Sequence, residues 1–259
     1  MKFSPLHIIA IVGIIVSIVI AVVAGIFIFA PQMSSLNGEI TQKGTITTKD
    51  TAISNVTSLD IDIPAKVKLE TAQESSVTIK ADDAFFDCID LTDANRRLII
   101  NYASECQGKE KPYSFPAGQA IEILIKTPFI DRISVNGAAE VTAELPNGTN
   151  VTLVINNVGS IIATLNATEL VARIAGSGKI IPSGSAFTQT IEITGAGEFD
   201  GRNLRGNVGD ININGSGKTT INASEVLKVR GSGSGDVFYV GSPTLSITKS
   251  GSGKVSKIQ

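Results

Sequence analysis

One short element recurs through the second half of the sequence and constrains the fold more than any other feature. It reads Gly, a small residue, Gly, then a charged residue. The complete copies contain the pairs Gly176 and Gly178, Gly195 and Gly197, Gly215 and Gly217, Gly233 and Gly235, and Gly251 and Gly253. Weaker copies occupy residues 137–141 and 157–161, and the series recurs at roughly 18 to 20 residues. A period of this length is typical of a solenoid, in which each repeat forms one rung of a coil.

Short alternating strands precede most copies of the repeat. Their apolar pairs are Ile133/Val135, Leu153/Ile155, Leu170/Ile174, Ile191/Ile193, Ile211/Ile213, Leu227/Val229 and Leu245/Ile247. Alternation with a period of two sends these side chains to one face, which in a coil is the inside. Since no single rung can bury that face, identical rungs must stack at about 4.8 Å with parallel backbone pairing.

The glycines then predict the corners between the sheets of the coil. A corner bends the backbone, often with positive φ, and glycine takes this conformation without a Cβ penalty. The middle residue is Ala or Ser in every complete copy. This predicts a column with little room.

The charged residue after each corner supports an in-register stack. Its sequence of charges alternates without a break through Lys179, Glu198, Lys218, Asp236 and Lys254. Directly opposed charges of opposite sign attract and like charges repel, each by about 1 kcal/mol or less. The pattern therefore favours the register, although alternation over five sites also arises by chance.

The composition excludes some functional classes. The formal net charge is -2, and charged residues make up 18% of the chain without a Lys/Arg cluster, so a nucleic-acid partner is not expected. The only histidine is His7, which precedes the predicted exported part. Catalytic arrangements that need histidine, and the common zinc sites, are thereby excluded from that part.

An apolar run from residue 8 to residue 30 predicts a transmembrane helix. Its 23 residues are enough to cross about 30 Å of hydrocarbon. A cleaved signal peptide is the alternative, but the run is long for one and Ala30 is followed by Pro31. Lys2 on one side favours a cytoplasmic tail of residues 1–7 and an extracellular C-terminal domain. The predicted location is thus the cell membrane, with a single pass.

Beyond the span, residues 31–50 are polar without periodicity and predict a tether. Residues 51–259 form the predicted β-helix domain. Longer alternating strands between residues 55 and 135 are interpreted as the opening rungs with wider loops, with a separate small sandwich as the alternative. The most loop-like stretch is residues 104–119, which holds two prolines.

A family resemblance rests on several of these segments in order. They are Leu59-Asp60-Ile61-Asp62-Ile63, the strand of residues 77–82, a hairpin-like pair that ends at Leu98-Ile99-Ile100, residues 130–137, and Gly231-Ser232-Gly233-Ser234-Gly235-Asp236-Val237. The chain resembles the auto-transporter adhesin family known as the head GIN domain, from about Asn55 to the end. The resemblance implies a right-handed parallel β-helix and no settled biochemical activity. The chain departs from it at Ala139 and Asn157, where corner glycines are replaced.

Carboxylates are the remaining candidates for catalysis. Parallel β-helices include polysaccharide lyases and hydrolases, whose sites cluster acids with Arg or Lys on an open face. The candidate pairs are Asp60/Asp62, Asp82/Asp83, Asp87/Asp90 and Asp200/Asp210. Each pair is also explained as the polar face of a strand or a turn cap, so no catalytic residue is assigned.

No metal or cofactor is expected. A calcium-binding β-roll needs Gly-Gly-x-Gly-x-Asp, whereas here Asp236 follows Gly235 directly and other copies hold Lys at that position. The Gly-x-Gly segments are not phosphate loops either, because no helix pattern follows them.

Two kinds of covalent modification are predicted for the exported part. Cys88 and Cys106 are the only cysteines, and an even count in an oxidising compartment favours a disulfide. Sequons for glycosylation occur at Asn55, Asn147, Asn150, Asn166 and Asn222. A sixth, at Asn214, lies beside a corner that must pack tightly and is the least favoured.

The sequence thus predicts an all-β parallel β-helix of about ten rungs behind one transmembrane helix. Binding, adhesion or scaffolding at the cell surface is the favoured function, with a polysaccharide-processing enzyme as the alternative. The strand edge near Lys257 is expected to be exposed, which predicts homo-oligomers through the C-terminal end of the coil. The partner, a surface protein or a glycan, is not identified by the sequence.

Overall fold

The computed structural model describes residues 45–106 and 121–259 of the chain. These parts are mostly strands, joined into one continuous 19-stranded sheet. The strands are β1 Ile46–Ala52, β2 Ser58–Ile61, β3 Lys66–Thr71, β4 Ser76–Asp82, β5 Ile89–Ala94, β6 Arg97–Tyr102, β7 Glu122–Thr127, β8 Arg132–Val135, β9 Glu140–Ile155, β10 Ser160–Gly176, β11 Lys179–Gly195, β12 Glu198–Gly201, β13 Leu204–Arg205, β14 Val208–Gly215, β15 Lys218–Asn222, β16 Val226–Gly233, β17 Asp236–Val240, β18 Thr244–Ser250 and β19 Val255–Lys257. A one-turn helix, α1 Asp83–Phe86, and a 3-10 turn, Ser104–Cys106, complete the described elements.

The predicted all-β solenoid is confirmed. Each rung crosses two faces of the coil, and parallel pairing joins it to the rungs on either side. The first face contains β2, β8, the second halves of β9, β10 and β11, then β14, β16 and β18. The second face contains β3, the first halves of β9, β10 and β11, then β12, β15, β17 and β19.

The core lies between the two faces, where the alternating strands place their apolar residues. In one column Ile155, Ile174, Ile193 and Ile213 stack directly in register. All four side chains are buried, as are the other predicted inward pairs from Ile133 to Val229. The pair Leu245/Ile247 differs, because no described rung covers it, and these side chains are 40% and 48% exposed.

The number of rungs predicted from the sequence is too high, since the structure contains about seven. The reason lies in β4 to β7, which were interpreted as consecutive opening rungs. Instead β4 pairs antiparallel with β7, and β5 and β6 form an antiparallel hairpin. The segment then joins the outer side of the first rung, with β6 parallel to β2 and β7 parallel to β3. It therefore covers one end of the coil and does not extend it, and it is part of the same sheet.

The tether predicted for residues 31–50 overlaps a strand. β1 begins at Ile46 and pairs antiparallel with β4, at the outer margin of the second face. Four of the seven residues of β1 are Thr or Ile, whose β-branched side chains favour a strand. The strand is almost entirely exposed and carries no alternating apolar pattern, which is why the sequence did not indicate it. The predicted tail, the predicted span 8–30 and the remaining tether residues up to 44 lie outside the described residues. Within 45–106 and 121–259 there is no helix that is long and apolar enough to span a bilayer.

Candidate functional site

The corner glycines form a continuous column, and the first glycine of each complete copy has the positive φ predicted for a corner. The angle is 126° at Gly176 and 113° at Gly195, for example. Gly215, Gly233 and Gly251 share this conformation. The bend that an L side chain disfavours therefore lies at the first glycine of the copy.

The second glycine of each copy does not have positive φ, so the predicted reason for a glycine was wrong there. These residues are Gly178, Gly197, Gly217, Gly235 and Gly253. Close approach of the neighbouring rung requires them instead: a Cβ on Gly217 would lie 2.6 Å from the Gly197 carbonyl oxygen.

The same close approach occurs at both ends of the glycine series. Gly178 is buried, and a Cβ there would overlap the Ile155 side chain of the rung before. Gly253 is half-buried on the last rung, where a Cβ would overlap the Gly235 carbonyl oxygen and the Lys249 ammonium. The column is therefore structural, and it holds each rung against the preceding one.

The middle residue of each corner is not in a crowded column, so that prediction was wrong. Ser177, Ala196, Ser216, Ser234 and Ser252 are all exposed. Their side chains point away from the stack, because the two flanking glycines make the close contacts. Crowding at this position therefore does not account for the small residues.

The predicted charge ladder lies on the outer side of the second face. Lys179 is directly opposite Glu198, Glu198 opposite Lys218, and Lys218 opposite Asp236. The Lys179 ammonium lies 3.1 Å from the Glu198 carboxylate, whereas Lys218 lies over the Phe238 ring at 5.4 Å from its centroid. The Lys254 backbone N–H donates to the Asp236 carboxylate at 2.7 Å.

The ladder also continues beyond the five predicted residues. Lys66 stacks between Glu122 and Glu140, and the uncharged Ser160 then separates Glu140 from Lys179. These groups are exposed or half-buried at the surface, so each contact contributes only a fraction of a kcal/mol, on the order of 0.5. The ladder therefore favours the in-register stacking of the rungs and makes the outer side of the second face charged, but it adds little stability.

Most of the candidate aspartates are engaged in structural contacts. Asp60 is buried and forms an ion pair with Arg97, while Asp62 accepts a hydrogen bond from the Asn136 amide at 2.6 Å. Asp82 is buried at the end of β4, Asp83 begins α1, and Asp87 and Asp90 are exposed.

The pair Asp200/Asp210 is split between the faces. Asp200, on the second face, pairs with Arg202 at 2.9 Å, and Asp210, on the first face, pairs with Arg230 at 2.6 Å. The Asp200 carboxylate raises the pKa of Arg202, first through their hydrogen bond. Within the described parts of the chain, no three His, Cys, Asp or Glu side chains come together in a way that could hold a metal ion.

The predicted modification sites lie at separate places. Cys88 and Cys106 form a disulfide with their Cα atoms 5.5 Å apart, which ties the short segment between α1 and β5 to the turn after β6. Asn55, Asn150, Asn166 and Asn214 are exposed, and Asn222 is half-buried. Asn147 lies in β9. The Asn222 amide donates to the Arg202 carbonyl at 3.3 Å.

Two surface grooves are candidate binding sites. The first, of about 450 Å³, lies on the second face across β4, β7, β3 and β9. Its polar lining alternates in charge, and includes Lys66, Lys68, Lys80, Glu122 and Glu140. Ion pairs satisfy several of these groups, such as Lys80 with Glu122 at 3.0 Å.

Lys68, which lines this groove, forms an ion pair with Glu70 at 2.7 Å. The hydrogen bond with Lys68 lowers the pKa of Glu70, and the same contact raises the pKa of Lys68. Lys68 is exposed and Glu70 is half-buried, so the pair is a surface feature. None of the candidate aspartates lines this groove.

The second groove, of about 540 Å³, lies at the corner of the coil opposite the glycine column. It is called the corner groove below. Its lining residues are Ala167, Ser185, Phe187, Arg205, Gly206, Asn207, Asn222 and Ser224. The Phe187 side chain is 52% exposed, which is notable in a chain where only 5% of the residues are aromatic. Sequence reasoning missed this groove because its residues come from four rungs and form no local motif.

The fold and these surfaces define a parallel β-solenoid with polar ladders on its outer faces. One end of it is closed by the segment from β4 to β7, which is called the antiparallel excursion below. The sequence matches a known family over residues 55–243, from β2 through the residues just before β18. The chain belongs to this family, described as the putative auto-transporter adhesin, head GIN domain. No curated protein matches the sequence.

Solved structures show the same fold. A putative adhesin of Bacteroides fragilis is 23% identical with a TM-score of 0.74, and the alignment covers 83% of this chain and 97% of that one. A putative adhesin of Parabacteroides merdae is 17% identical with a TM-score of 0.64, at 83% and 97% coverage. A protein of Parabacteroides distasonis named as a putative lipid binding protein is 20% identical with a TM-score of 0.65, at 83% and 98% coverage. At these identities the likeness is one of fold.

Proposed function

We propose that this protein binds a partner at the cell surface, as an adhesin or scaffold, and does so without catalysis. The observation that carries the proposal is the outer surface of the coil, where polar side chains bond to one another from rung to rung. The Asn156 amide donates to Asn136 across neighbouring rungs, and Ser232 donates to Asn214 at 3.1 Å. Such ladders are rigid and repeat at about 4.8 Å, which suits recognition of an extended partner.

Membership of a family of putative adhesins supports the same conclusion, as does the placement of the acids. Catalysis by a β-helix glycosidase or lyase needs carboxylates that converge on one open groove. Here Asp60 and Asp200 pair with arginines, and Asp210 lies on the other face from Asp200. Their chemistry is that of structural ion pairs.

The proposal includes attachment to the membrane. The 23 apolar residues from 8 to 30 would anchor the protein, with residues 1–7 in the cytoplasm and the solenoid outside. The right-handed coil implied by the family resemblance belongs to the proposal too, because parallel strand crossovers are right-handed in about 98% of cases. Resistance of the full chain to alkaline extraction, with the solenoid accessible to protease on intact cells, tests this arrangement.

Adhesion is tested with cells that display the full chain and cells that lack it. We expect displaying cells to attach to surfaces coated with glycans or matrix proteins, and the same protein to release no reducing ends from anionic polysaccharides. Equal attachment by both kinds of cell would contradict the binding function. Turnover of a polysaccharide would instead favour the enzyme.

We propose in addition that a second copy covers the open end of the coil. Leu245 and Ile247 occupy inward positions there but are exposed, and within the described chain β18 pairs only with β16. Antiparallel pairing of two β18 strands about a twofold axis would bury these side chains and satisfy the edge. Lys249 disfavours this contact. It lies on the inward side of β18, opposite Gly231, and a charged side chain there disfavours pairing of the strand edge with another chain.

A further inference from the structure

The corner groove results from a local difference in the length of the rungs. Glu198 is opposite Lys218, 20 residues further on, whereas Val208 is opposite Val226, only 18 further on. The rung of β12 to β14 therefore carries two more residues at this corner than the next rung does. The exposed turn at residues 202–203 accommodates this extra length, and its Arg202 carbonyl accepts a hydrogen bond from Asn222 in the groove lining.

Backbone pairing places the lining residues from Ser185 to Ser224 on three successive rungs, and Ala167 lies on the rung before them, where it is opposite Ala186. Ser185 is opposite Arg205, and the Asn207 N–H donates to the Phe187 carbonyl at 3.0 Å. On the next rung, the Ser224 N–H donates to the Gly206 carbonyl at 3.0 Å. Three rungs at the usual strand spacing extend over roughly 10 Å, about the length of two linked pyranose rings.

Several polar groups in the groove are free to bind a ligand. The Arg205 side chain is exposed, and its guanidinium has no ion pair or hydrogen bond among the described residues; the same holds for the Ser224 hydroxyl. Asn207 donates through its amide nitrogen to Glu225 at 2.6 Å, and Asn222 donates to the Arg202 carbonyl, so both amide oxygens remain available as acceptors within the described chain. The groove thus offers a guanidinium donor, two amide acceptors and a hydroxyl around an exposed phenyl ring.

This combination matches the surface of a sugar. The hydroxyl groups of a pyranose both donate and accept, as the amides, the guanidinium and the serine require. One face of the ring carries C–H bonds that pack on the face of an aromatic side chain. A lipid tail would need an apolar lining, but here Phe187 and Ala167 are the only apolar side chains in it. Strand addition is not available at this corner either, because β13 pairs with β11 on one side, and the Ser224 and Glu225 N–H groups of the following rung already donate to the Gly206 and Asn207 carbonyls.

We propose that the corner groove binds a pyranose glycan, with Phe187 as the stacking platform and Arg205 favouring a sugar that carries a carboxylate. A guanidinium binds a carboxylate through two parallel hydrogen bonds, so uronic acid residues fit this position better than neutral hexoses. A second hollow of about 310 Å³ adjoins the groove at Asn166, the residue next to Ala167 and hydrogen-bonded to Ser185 at 2.7 Å. An extended oligosaccharide therefore has a track along this corner. The inference rests on the proposed binding function and names its ligand class and site.

The test uses the full chain in a mild detergent, titrated with tetrasaccharides of a neutral hexose and of a hexuronic acid. Calorimetry gives the affinity, and saturation-transfer NMR identifies the sugar protons that contact the protein. We expect the hexuronic acid to bind more tightly. Phe187→Ala should weaken both sugars by about tenfold, and Arg205→Ala should weaken the acidic one alone to the level of the neutral one.

Matched controls keep these results interpretable. Phe129→Ala removes a phenyl ring that is 38% exposed elsewhere, and Lys228→Ala removes an exposed cation on the first face. Both controls should bind as the unmodified protein does. Equal losses in Phe129→Ala and Phe187→Ala, or unchanged binding in Phe187→Ala, would overturn the site.

The same variants, displayed on cells, separate the two proposals. Adhesion that is lost in Phe187→Ala but retained in Phe129→Ala supports both the function and the site. Adhesion that persists in Phe187→Ala and Arg205→Ala overturns the site and leaves the adhesive function standing. If displaying cells do not adhere and neither tetrasaccharide binds, the function fails and the site fails with it.

Discussion

At the scale of single residues, the corner glycines allow the rungs to stack because they have no Cβ. Gly195 has φ of 113°, and a Cβ at this position would lie 2.7 Å from the Gly176 carbonyl oxygen. An L side chain there is penalised twice, by its backbone conformation and by the clash with the rung below.

Gly195→Ala is expected to lower the free energy of unfolding by about 2–4 kcal/mol, because neither the backbone nor the neighbouring carbonyl can relax without breaking pairing. Chemical denaturation followed by circular dichroism measures the effect. Ala196→Ser is the control, since the adjacent residue is exposed and other copies carry Ser there, and it should change stability by less than about 0.5 kcal/mol. Equal effects of the two substitutions would contradict the corner interpretation.

Gln189 is the polar exception in the core. It stacks between Leu170 and Gly209 at an inward position and is fully buried. Its amide nitrogen donates to the carbonyl oxygens of Leu204 at 3.3 Å and Asn222 at 3.0 Å, which lie beneath the corner groove. The side chain therefore binds the irregular corner to the core, although its own oxygen has no partner among the described residues.

Gln189→Ala should cost about 2–4 kcal/mol of stability, from the two unsatisfied carbonyl groups and the cavity that remains. Thr194→Ala, an exposed outward position of the same strand, is the control and should be close to neutral. Thermal unfolding of both variants gives the comparison. A stable Gln189→Ala protein would mean that the corner is held by backbone pairing alone.

Among the elements, the antiparallel excursion of β4 to β7 differs most from the rest. The hairpin of β5 and β6 turns at Asn95 and Arg96, with φ of 54° and 62°, the conformation of a tight two-residue turn. The Cys88–Cys106 disulfide, across 18 residues of sequence, closes the hairpin at its base. A disulfide there limits the unfolded states of the segment that covers the end of the coil.

Replacing both cysteines by serine is expected to lower stability by about 3 kcal/mol, because a loop of this length loses that much closure entropy. Guanidinium unfolding with and without a reducing agent measures it. Reduction should shift the unmodified protein to the same midpoint and leave the double variant unchanged. Detection of two free thiols by non-reducing mass spectrometry would contradict the disulfide and its contribution to stability.

For the whole molecule, the two ends of the coil are unequal. The excursion covers the first rung, whereas Leu245 and Ile247 are exposed on the last rung of the structure. The Lys249 ammonium reaches across this end and donates to the Gly235 carbonyl at 2.6 Å. Burial of apolar side chains favours association, and the charge of Lys249 limits it.

We therefore expect weak, concentration-dependent dimers of the full chain in sedimentation experiments in detergent. Lys249→Leu should strengthen the dimer, and Leu245→Lys should abolish it, since it adds a charge to the contact. Leu124→Lys, a half-exposed outward position on β7, is the control and should leave the dimer intact. Association that is insensitive to Leu245→Lys would place the interface elsewhere.

The repeating part of this fold can be predicted from the sequence because it depends on local features. Period-two alternation selects the inward residues, and the spaced glycines and charges such as Lys179 and Glu198 determine the register. The excursion cannot be predicted in this way, since β6 and β7 pair with strands that precede them by 39 and 56 residues (Ser58 with Arg97, Lys66 with Glu122), and no local pattern indicates which side of the first rung they join. The corner groove is non-local for the same reason, because Phe187, Arg205 and Ser224 come together only once rungs of unequal length stack. Local backbone preference and periodicity thus define the coil, whereas its covered end and its candidate binding site depend on contacts between residues distant in sequence.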